Sequence, residues 1–202
     1  MDEMICSSNS VTLRGVAADA PRYSHESRGE RFFTFPLEVQ RLSGAVDRLN
    51  VLARESALRQ TPLTDGGKLF VGGELRSFNN RSGVGSRLVI SVFARTLRIE
   101  DGEDFNEAFL SGTLCKRPNL RATPLGREIC DLMLAVNRRY GRSDYLPCIA
   151  WGLLARECAD RDVGAQLALR GRVQSRKYIK QTGTEQLEKT AYEVSISEIE
   201  WL

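Results

Sequence analysis

Hydrophobic and polar residues alternate in short runs along the whole chain. In "RFFTFPLEV" (31–39), Phe33, Phe35, Leu37 and Val39 fall on one side of an extended strand, and in "EICDLMLAV" (128–136), Leu132, Leu134 and Val136 do the same. Period-two alternation over such a length predicts half-buried strands. An earlier strand centred on Leu13 or Leu110 precedes each run and breaks at a glycine. A third strand, "RLNVLA" or "YLPCIAW", follows each, then a short helical piece, "RESALRQ" or "LLARECADR", and two closing strands. No apolar run approaches the roughly 20 residues of a membrane span. The opening "MDEMICSSNS" has neither the basic flank nor the apolar centre of a signal peptide, so the expected location is the cytoplasm.

The pattern occurs twice. At an offset of 97, Asn9, Leu13, Gly15, Pro21, Gly29, Leu37, Val39 and Arg41 coincide with Asn106, Leu110, Gly112, Pro118, Gly126, Leu134, Val136 and Arg138. "KLFVGGELRS" (68–77) matches "QLALRGRVQS" (166–175) after a slip of one, and Leu97 and Ile99 correspond to Ile199 and Trp201. Self-similarity at this spacing predicts two copies of one domain, 1–101 and 105–202, with the acidic "EDGED" (100–104) between them. Five strands with a helix between the third and fourth is the plan of an OB barrel. The expected fold class is all-β with short helices, two tandem five-stranded OB-fold barrels, each of a size that suits a small closed barrel.

The chemistry lies on the fourth strand of the second copy. In "QLALRGRVQSRKYIKQTG" (166–183), Leu167, Leu169, Gly171 and Val173 share the face expected to be core. Arg170, Arg172, Gln174, Arg176 and Tyr178 share the other, and none of them is acidic, whereas a merely solvated strand mixes signs. On the third strand, Tyr145, Pro147, Ile149 and Trp151 alternate with Leu146, Cys148 and Ala150. Both sets are apolar, so Trp151 reads either as a core anchor or as a ring on the outer sheet. Rings beside arginines suit a ligand that exposes flat bases and phosphates together, which a nucleic-acid single strand does and a duplex does not. The 202 residues carry a net charge of +3, which permits an anionic partner without requiring one.

The second copy resembles the bacterial single-stranded-DNA-binding protein family. The matching run is "NEAFLSGTLCKRPNLRATPLGREI", then "LMLAVNRR", "DYLPCIAWG" and "GRVQSRKYIKQTG", spanning about 106–201. The resemblance implies sequence-independent binding of single-stranded DNA in replication, recombination or repair. It implies stacking of bases on Tyr140, Tyr145, Trp151 and Tyr178, and basic contacts at Arg121, Arg138, Arg139, Arg176 and Lys177. With Arg170 and Arg172 from the strand pattern, these form the expected DNA-binding set. Family members commonly end in a flexible tail with an acidic tip, whereas this sequence ends at "SEIEWL". Recruitment of partner proteins through such a tip is therefore not expected. Members with two barrels per chain form dimers, so a homodimer of four barrels is expected. The alternative is an OB-fold module that binds protein, in a primosome-like or mobile-element assembly.

In the first copy, the positions matching Tyr140, Tyr145, Trp151 and Tyr178 are Ser43, Arg48, Arg54 and about Asn80, with Phe78 nearby. Glu74 stands where the second copy has Arg172. Arginines remain there, and Arg41, Arg48, Arg54 and Arg76 are able to follow a phosphate backbone; the expectation is that the second copy supplies most of the affinity and the first mainly completes the assembly. Little suggests catalysis. His25 is the single histidine, in the polar "RYSHESRGE", which reads as a hairpin loop with no partner nucleophile. Carboxylates are not clustered for metal-dependent cleavage, and no phosphate-loop motif is present. Five cysteines, Cys6, Cys115, Cys130, Cys148 and Cys158, are scattered and unpaired in pattern, which predicts reduced thiols and no zinc site. No cofactor is expected.

Overall fold

A computed structural model describes residues 8–63, 66–80, 88–182 and 185–202. Cys6 and the opening segment lie outside the described residues. The first half runs β1 (Asn9–Ala17), β2 (Arg22–Ser27), β3 (Glu30–Gln40), β4 (Val46–Arg54), α1 (Glu55–Gln60), β5 (Lys68–Asn79) and β6 (Leu88–Ile99). The second repeats the order as β7 (Phe105–Leu114), β8 (Asn119–Ala122), β9 (Glu128–Asn137), β10 (Ser143–Trp151), α2 (Leu153–Ala159), β11 (Gln166–Thr182) and β12 (Glu185–Trp201). The strands form one sheet in the order β2-β3-β4-β6-β5-β1-β7-β11-β12-β10-β9-β8, and the pairings β1–β3 and β7–β9 close each half on itself. Each half is thus a five-stranded barrel with one short strand added at its edge. The added strands β2 and β8 are fully exposed along their length. The stretch expected to be a hairpin loop therefore contains a strand that buries neither face, and such a strand leaves no alternation to read.

The barrels are joined edge to edge by β1 and β7, antiparallel from Asn9↔Leu110 to Arg14↔Phe105. Inward positions pack as the alternation predicts: Leu13, Phe35, Leu37, Val51 and Val71 in one barrel, Leu110, Leu134, Leu146, Leu167 and Val173 in the other, all 2% exposed or less. Cys130, Cys148 and Cys158 are buried and Cys115 is half-buried, all as free thiols. Burial pushes the Cys158 thiol up to about 12 and raises Cys148 as well. The acidic connection at 100–104 is tied down, since Arg14 pairs with Glu100 and Lys68 Nζ lies 2.9 Å from Asp104.

The repeated residues each have a physical reason. A Cβ on Gly15 would lie 2.2 Å from the Glu38 carbonyl oxygen, and one on Gly112 would lie 2.4 Å from that of Ala135, so only glycine lets β1 and β7 close their barrels. Gly29 and Gly126 both take φ +76 in the turns after β2 and β8, a region that favours glycine. Asn9 stands in for a backbone amide, its Nδ2 donating to Leu75 O at 2.8 Å and its Oδ1 accepting from Leu75 N at 2.8 Å. Asn106 does the same with Val173 at 2.7 and 2.9 Å.

The barrels also lock together through a second pseudo-equivalent pair, Asp47 and Asp144, both fully buried. Asp47 Oδ1 accepts from the Ser175 N–H of the opposite barrel at 2.8 Å, and Ser175 Oγ accepts from Arg48 N–H at 3.0 Å. Asp144 Oδ1 accepts from Ser77 N–H at 2.6 Å, and Ser77 Oγ accepts from Tyr145 N–H at 2.7 Å. Arg41 binds Asp47 through two bonds of 2.7 and 2.5 Å, and Arg138 binds Asp144 in the same two-pronged way. The hydrogen bond to Asp47 holds the Arg41 guanidinium above its usual pKa.

Three outcomes are expected. Asp144→Asn leaves Arg138 without its counter-charge and should lower stability by about 3 kcal/mol in urea titrations, while Ser175→Ala, which removes one neutral hydrogen bond, should lower it by about 1 kcal/mol. Alkylating reagents at neutral pH should leave Cys130, Cys148 and Cys158 unmodified until denaturant opens the barrel, as mass spectrometry can follow; rapid native labelling of Cys158 would contradict its burial.

Candidate nucleic-acid interface

The period-two rule places the side chains of β10 without ambiguity once the barrel is closed. Leu146, Cys148 and Ala150 point into the core, so Tyr145 and Trp151 point outward, with exposures of 50% and 38%. Ile149 shares their side but is buried. Trp151 is therefore an outer ring and not a core anchor. On β11, Leu167, Leu169 and Val173 are buried while Arg170, Arg172, Arg176 and Tyr178 are exposed, as the pattern predicts. Gln174 is the departure from that expectation. It is 5% exposed because its Nε2 donates to Glu193 Oε1 at 2.8 Å on the neighbouring β12.

Trp151 opens into a groove of about 450 Å³ with Arg127, Arg172, Gln174, Ser175, Arg176 and, from the first barrel, Arg41. Glu193, 8% exposed, lies 3.6 Å from Arg176 and steadies it, and the Arg176 guanidinium sits 5.9 Å from the Tyr178 ring centroid. Arg127 and Arg172 make no ion pair among the described residues. Two residues of this neighbourhood, Arg127 and Glu193, were not singled out from the sequence, and Arg41 was expected only as a backbone contact of the first copy. Arg127 follows the turn glycine Gly126, Arg41 comes from the other barrel, and Glu193 alternates with buried Val194 like any outward carboxylate. The repeat carried one usable signal, the coincidence of Arg41 with Arg138.

A second groove of about 530 Å³ lies over the other crossing between the barrels. It is lined by Ser77, Phe78, Asn79 and Leu88 from the first and Arg138, Arg142, Ser143 and Tyr145 from the second. Phe78 is 53% exposed, so one exposed ring from each barrel enters it. Tyr140 is 97% exposed at φ +66 in the β9–β10 connection. The Arg139 side chain lies outside the described residues.

The structure places four of the expected cations differently. Arg138 does not stand free for a ligand. Its guanidinium is tied to buried Asp144 and donates to Ser77 O at 3.2 Å, because the barrel junction needs a counter-charge there. Arg121 is bound two-pronged by Asp131 at 2.5 and 3.1 Å. Arg170 lies toward β7, 3.3 Å from Glu107 and 4.0 Å from Glu198, with its guanidinium 5.8 Å from the Phe109 centroid. Lys177 pairs with Glu188 at 2.9 Å, with both side chains exposed and the bond correspondingly weak. Among the described residues no three His, Cys, Asp or Glu gather to hold a metal, and no helix is long and apolar enough to cross a membrane.

The sequence profile of the Single-strand binding protein family matches residues 105–202. Single-stranded DNA-binding protein 2 of Clostridium acetobutylicum is 30% identical over 103 residues, which cover 48% of this chain and 77% of that protein. Single-stranded DNA-binding protein B of Bacillus subtilis is 34% identical over 86 residues, covering 39% of this chain and 76% of that one. In fold, the chain is similar to the crystal structure of the wild-type single-stranded DNA binding protein from Thermus aquaticus, with a TM-score of 0.75 and 23% identity over 96% of this chain and 92% of that one. Two OB barrels, the second carrying rings and guanidiniums on its outer face, thus agree with the profile and the relatives, and the chain belongs to the single-strand binding protein family.

Proposed function

We propose that this chain is a non-enzymatic protein that binds single-stranded DNA, with little regard to sequence, in replication, recombination or repair in the cytoplasm. The observation that carries the reading is the Trp151 ring, turned outward into a groove shared with Arg127, Arg172 and Arg176. Bases stack on aromatic faces whatever their identity, and phosphates follow the guanidiniums. Trp151, Tyr178, Tyr145 and Tyr140 are the platforms. Arg172, Arg176, Arg127 and Lys177, with Arg139 and Arg142 of the Tyr140 connection, hold the backbone. Arg121 and Arg138 contribute less, because each is held two-pronged by an aspartate, and Arg170 contributes less because it lies toward β7 between Glu107 and Glu198. The divergent domain is 1–101 and the main binding domain 105–202.

A homodimer with four barrels fits the outer face of the central strands. Phe70 on β5 and Phe105 and Phe109 on β7 point away from both cores, with Phe105 43% exposed. A two-fold contact would cover these rings.

Trp201 is a second reporter to be removed: its Nε1 donates to Glu157 at 2.6 Å and the Arg161 guanidinium lies 4.4 Å from its ring. In a Trp201→Phe background, titration with oligo-dT should quench Trp151 fluorescence. Absence of both quenching and a low-salt mobility shift would favour a protein-binding module. Trp151→Ala or Tyr178→Ala should weaken binding by about 1–3 kcal/mol. Each cation withdrawn from a phosphate should flatten the slope of log K against log salt by about 0.7, so Arg172→Gln should flatten it by that amount and Arg170→Gln should leave it unchanged. Light scattering should give twice the chain mass, and joint Phe70→Glu and Phe109→Glu substitution should halve it.

A further inference from the structure

We propose that Gln174 recognises the unpaired state of a base: its side-chain oxygen, open to the Trp151 groove, accepts a hydrogen bond from the pairing edge of the nucleotide held there. Glu193 is the positioning residue that sets the Gln174 amide in that orientation. The inference rests on the reading of the chain as a binder of single-stranded DNA, and it adds to stacking and charge a contact with the edge of the base.

The orientation of the amide follows from what each atom can do. Gln174 on β11 and Glu193 on β12 pair across the sheet, 5% and 8% exposed. A carboxylate offers a neighbouring amide only acceptors, so the amide turns its NH2 end toward it. Gln174 Nε2 accordingly donates to Glu193 Oε1 at 2.8 Å. Glu193 also lies 3.6 Å from the Arg176 guanidinium, which holds the carboxylate from a second group. The other end of the amide, Gln174 Oε1, makes no hydrogen bond among the described residues. Nor is it sealed in, since Ser91 Oγ is the enclosed side-chain polar atom that lacks a partner among those residues. Gln174 lines the groove shared by Trp151, Arg172, Arg176 and Ser195, so its free oxygen opens there.

An acceptor fixed in the floor of such a groove has a defined complement. The thymine ring N–H, the cytosine and adenine amino groups, and the ring N–H and amino group of guanine all lie on the pairing edge. Each base therefore has an N–H to offer, and one acceptor serves all of them, which agrees with binding that disregards sequence. The Ser195 hydroxyl in the same groove both donates and accepts, and suits whichever atom neighbours that N–H. In a duplex the N–H is already given to the opposite base, so a paired base would leave Gln174 Oε1 without a partner. A phosphate has no N–H and would meet only the lone pairs of that oxygen, so the backbone turns to Arg172 and Arg176 at the margin. The first barrel has no such arrangement. Arg76 stands in the place of Gln174 and binds Glu74 and Asp144, and Ser91 pairs across from it where the second barrel has Glu193.

The test deletes the donor from the base and, separately, the acceptor from the protein. Oligo-dC of about 16 nucleotides, enough to fill one OB barrel, is compared with a strand in which pyrimidinone, the same ring without its amino group, replaces every cytosine. In the Trp201→Phe background the strand lacking amino groups should bind about three- to tenfold more weakly at one salt concentration, with Trp151 still quenched. Gln174→Met removes the acceptor, so the two strands should then bind alike. Glu193→Gln keeps the size of both side chains but lets the Gln174 amide present either end, and the gap should shrink to less than about twofold. If Gln174→Met misfolds by circular dichroism, Glu193→Gln decides. Equal affinity of the Trp201→Phe protein for the two strands, or a gap undiminished in the folded variants, would overturn the proposal while leaving Trp151 quenching intact. Failure of that protein to bind oligo-dC or to be quenched by it would instead remove the reading on which the proposal rests.

Discussion

A carboxylate buried between two barrels governs the arrangement of everything outside them. Asp47 and Asp144 are each fully enclosed, each neutralised by an arginine of its own barrel, and each accepting a backbone N–H from the other. An ionised group out of water is stable only when its charge and its lone pairs are all met. The backbones at Ser77 and Ser175 are therefore held at fixed positions relative to β10 and β4. Those serines are also where the two grooves begin. The placement of Phe78 beside Tyr145, and of Arg41 beside Trp151, follows from the junction and needs no separate explanation.

The barrels themselves were legible because alternation survives wherever one strand face is buried. Leu132, Leu134 and Val136, or Phe35, Leu37 and Val39, could be assigned inward without a structure. The repeat was legible for a different reason: glycines at close approaches and left-handed turns cannot drift, so Gly15/Gly112 and Gly29/Gly126 keep the copies in step. Where burial is absent the signal is absent too, which is why β2 and β8 were not anticipated.

The site was less legible, for reasons of partnership. A sequence shows that Arg138, Arg170 and Arg172 are all arginines. It does not show that the first faces a buried aspartate, the second two surface carboxylates, and the third an open groove. The direction of Trp151 was ambiguous because both faces of β10 are apolar, and closure of the barrel over Leu146, Cys148 and Ala150 removes the choice. Arg54, read as a cation in the place of a lost ring, has Phe32 and Phe93 for neighbours, which only the strand register reveals.

The antiparallel seam between β1 and β7 joins two barrels of one chain. When such a seam forms between separate identical subunits, every substitution appears on both sides at once, and dilution can pull the halves apart. Here the connection at 100–104 keeps the halves at an effective local concentration far above that of the protein in bulk, so the seam forms as part of folding. Its two sides are also inherited as distinct positions. A change that suits Arg48, beside one crossing, is not imposed on Tyr145 beside the other. The covalent link thus frees the two barrels from mirror-like sameness, and their outer faces were able to diverge in the kinds of group each presents while the buried junction stayed paired.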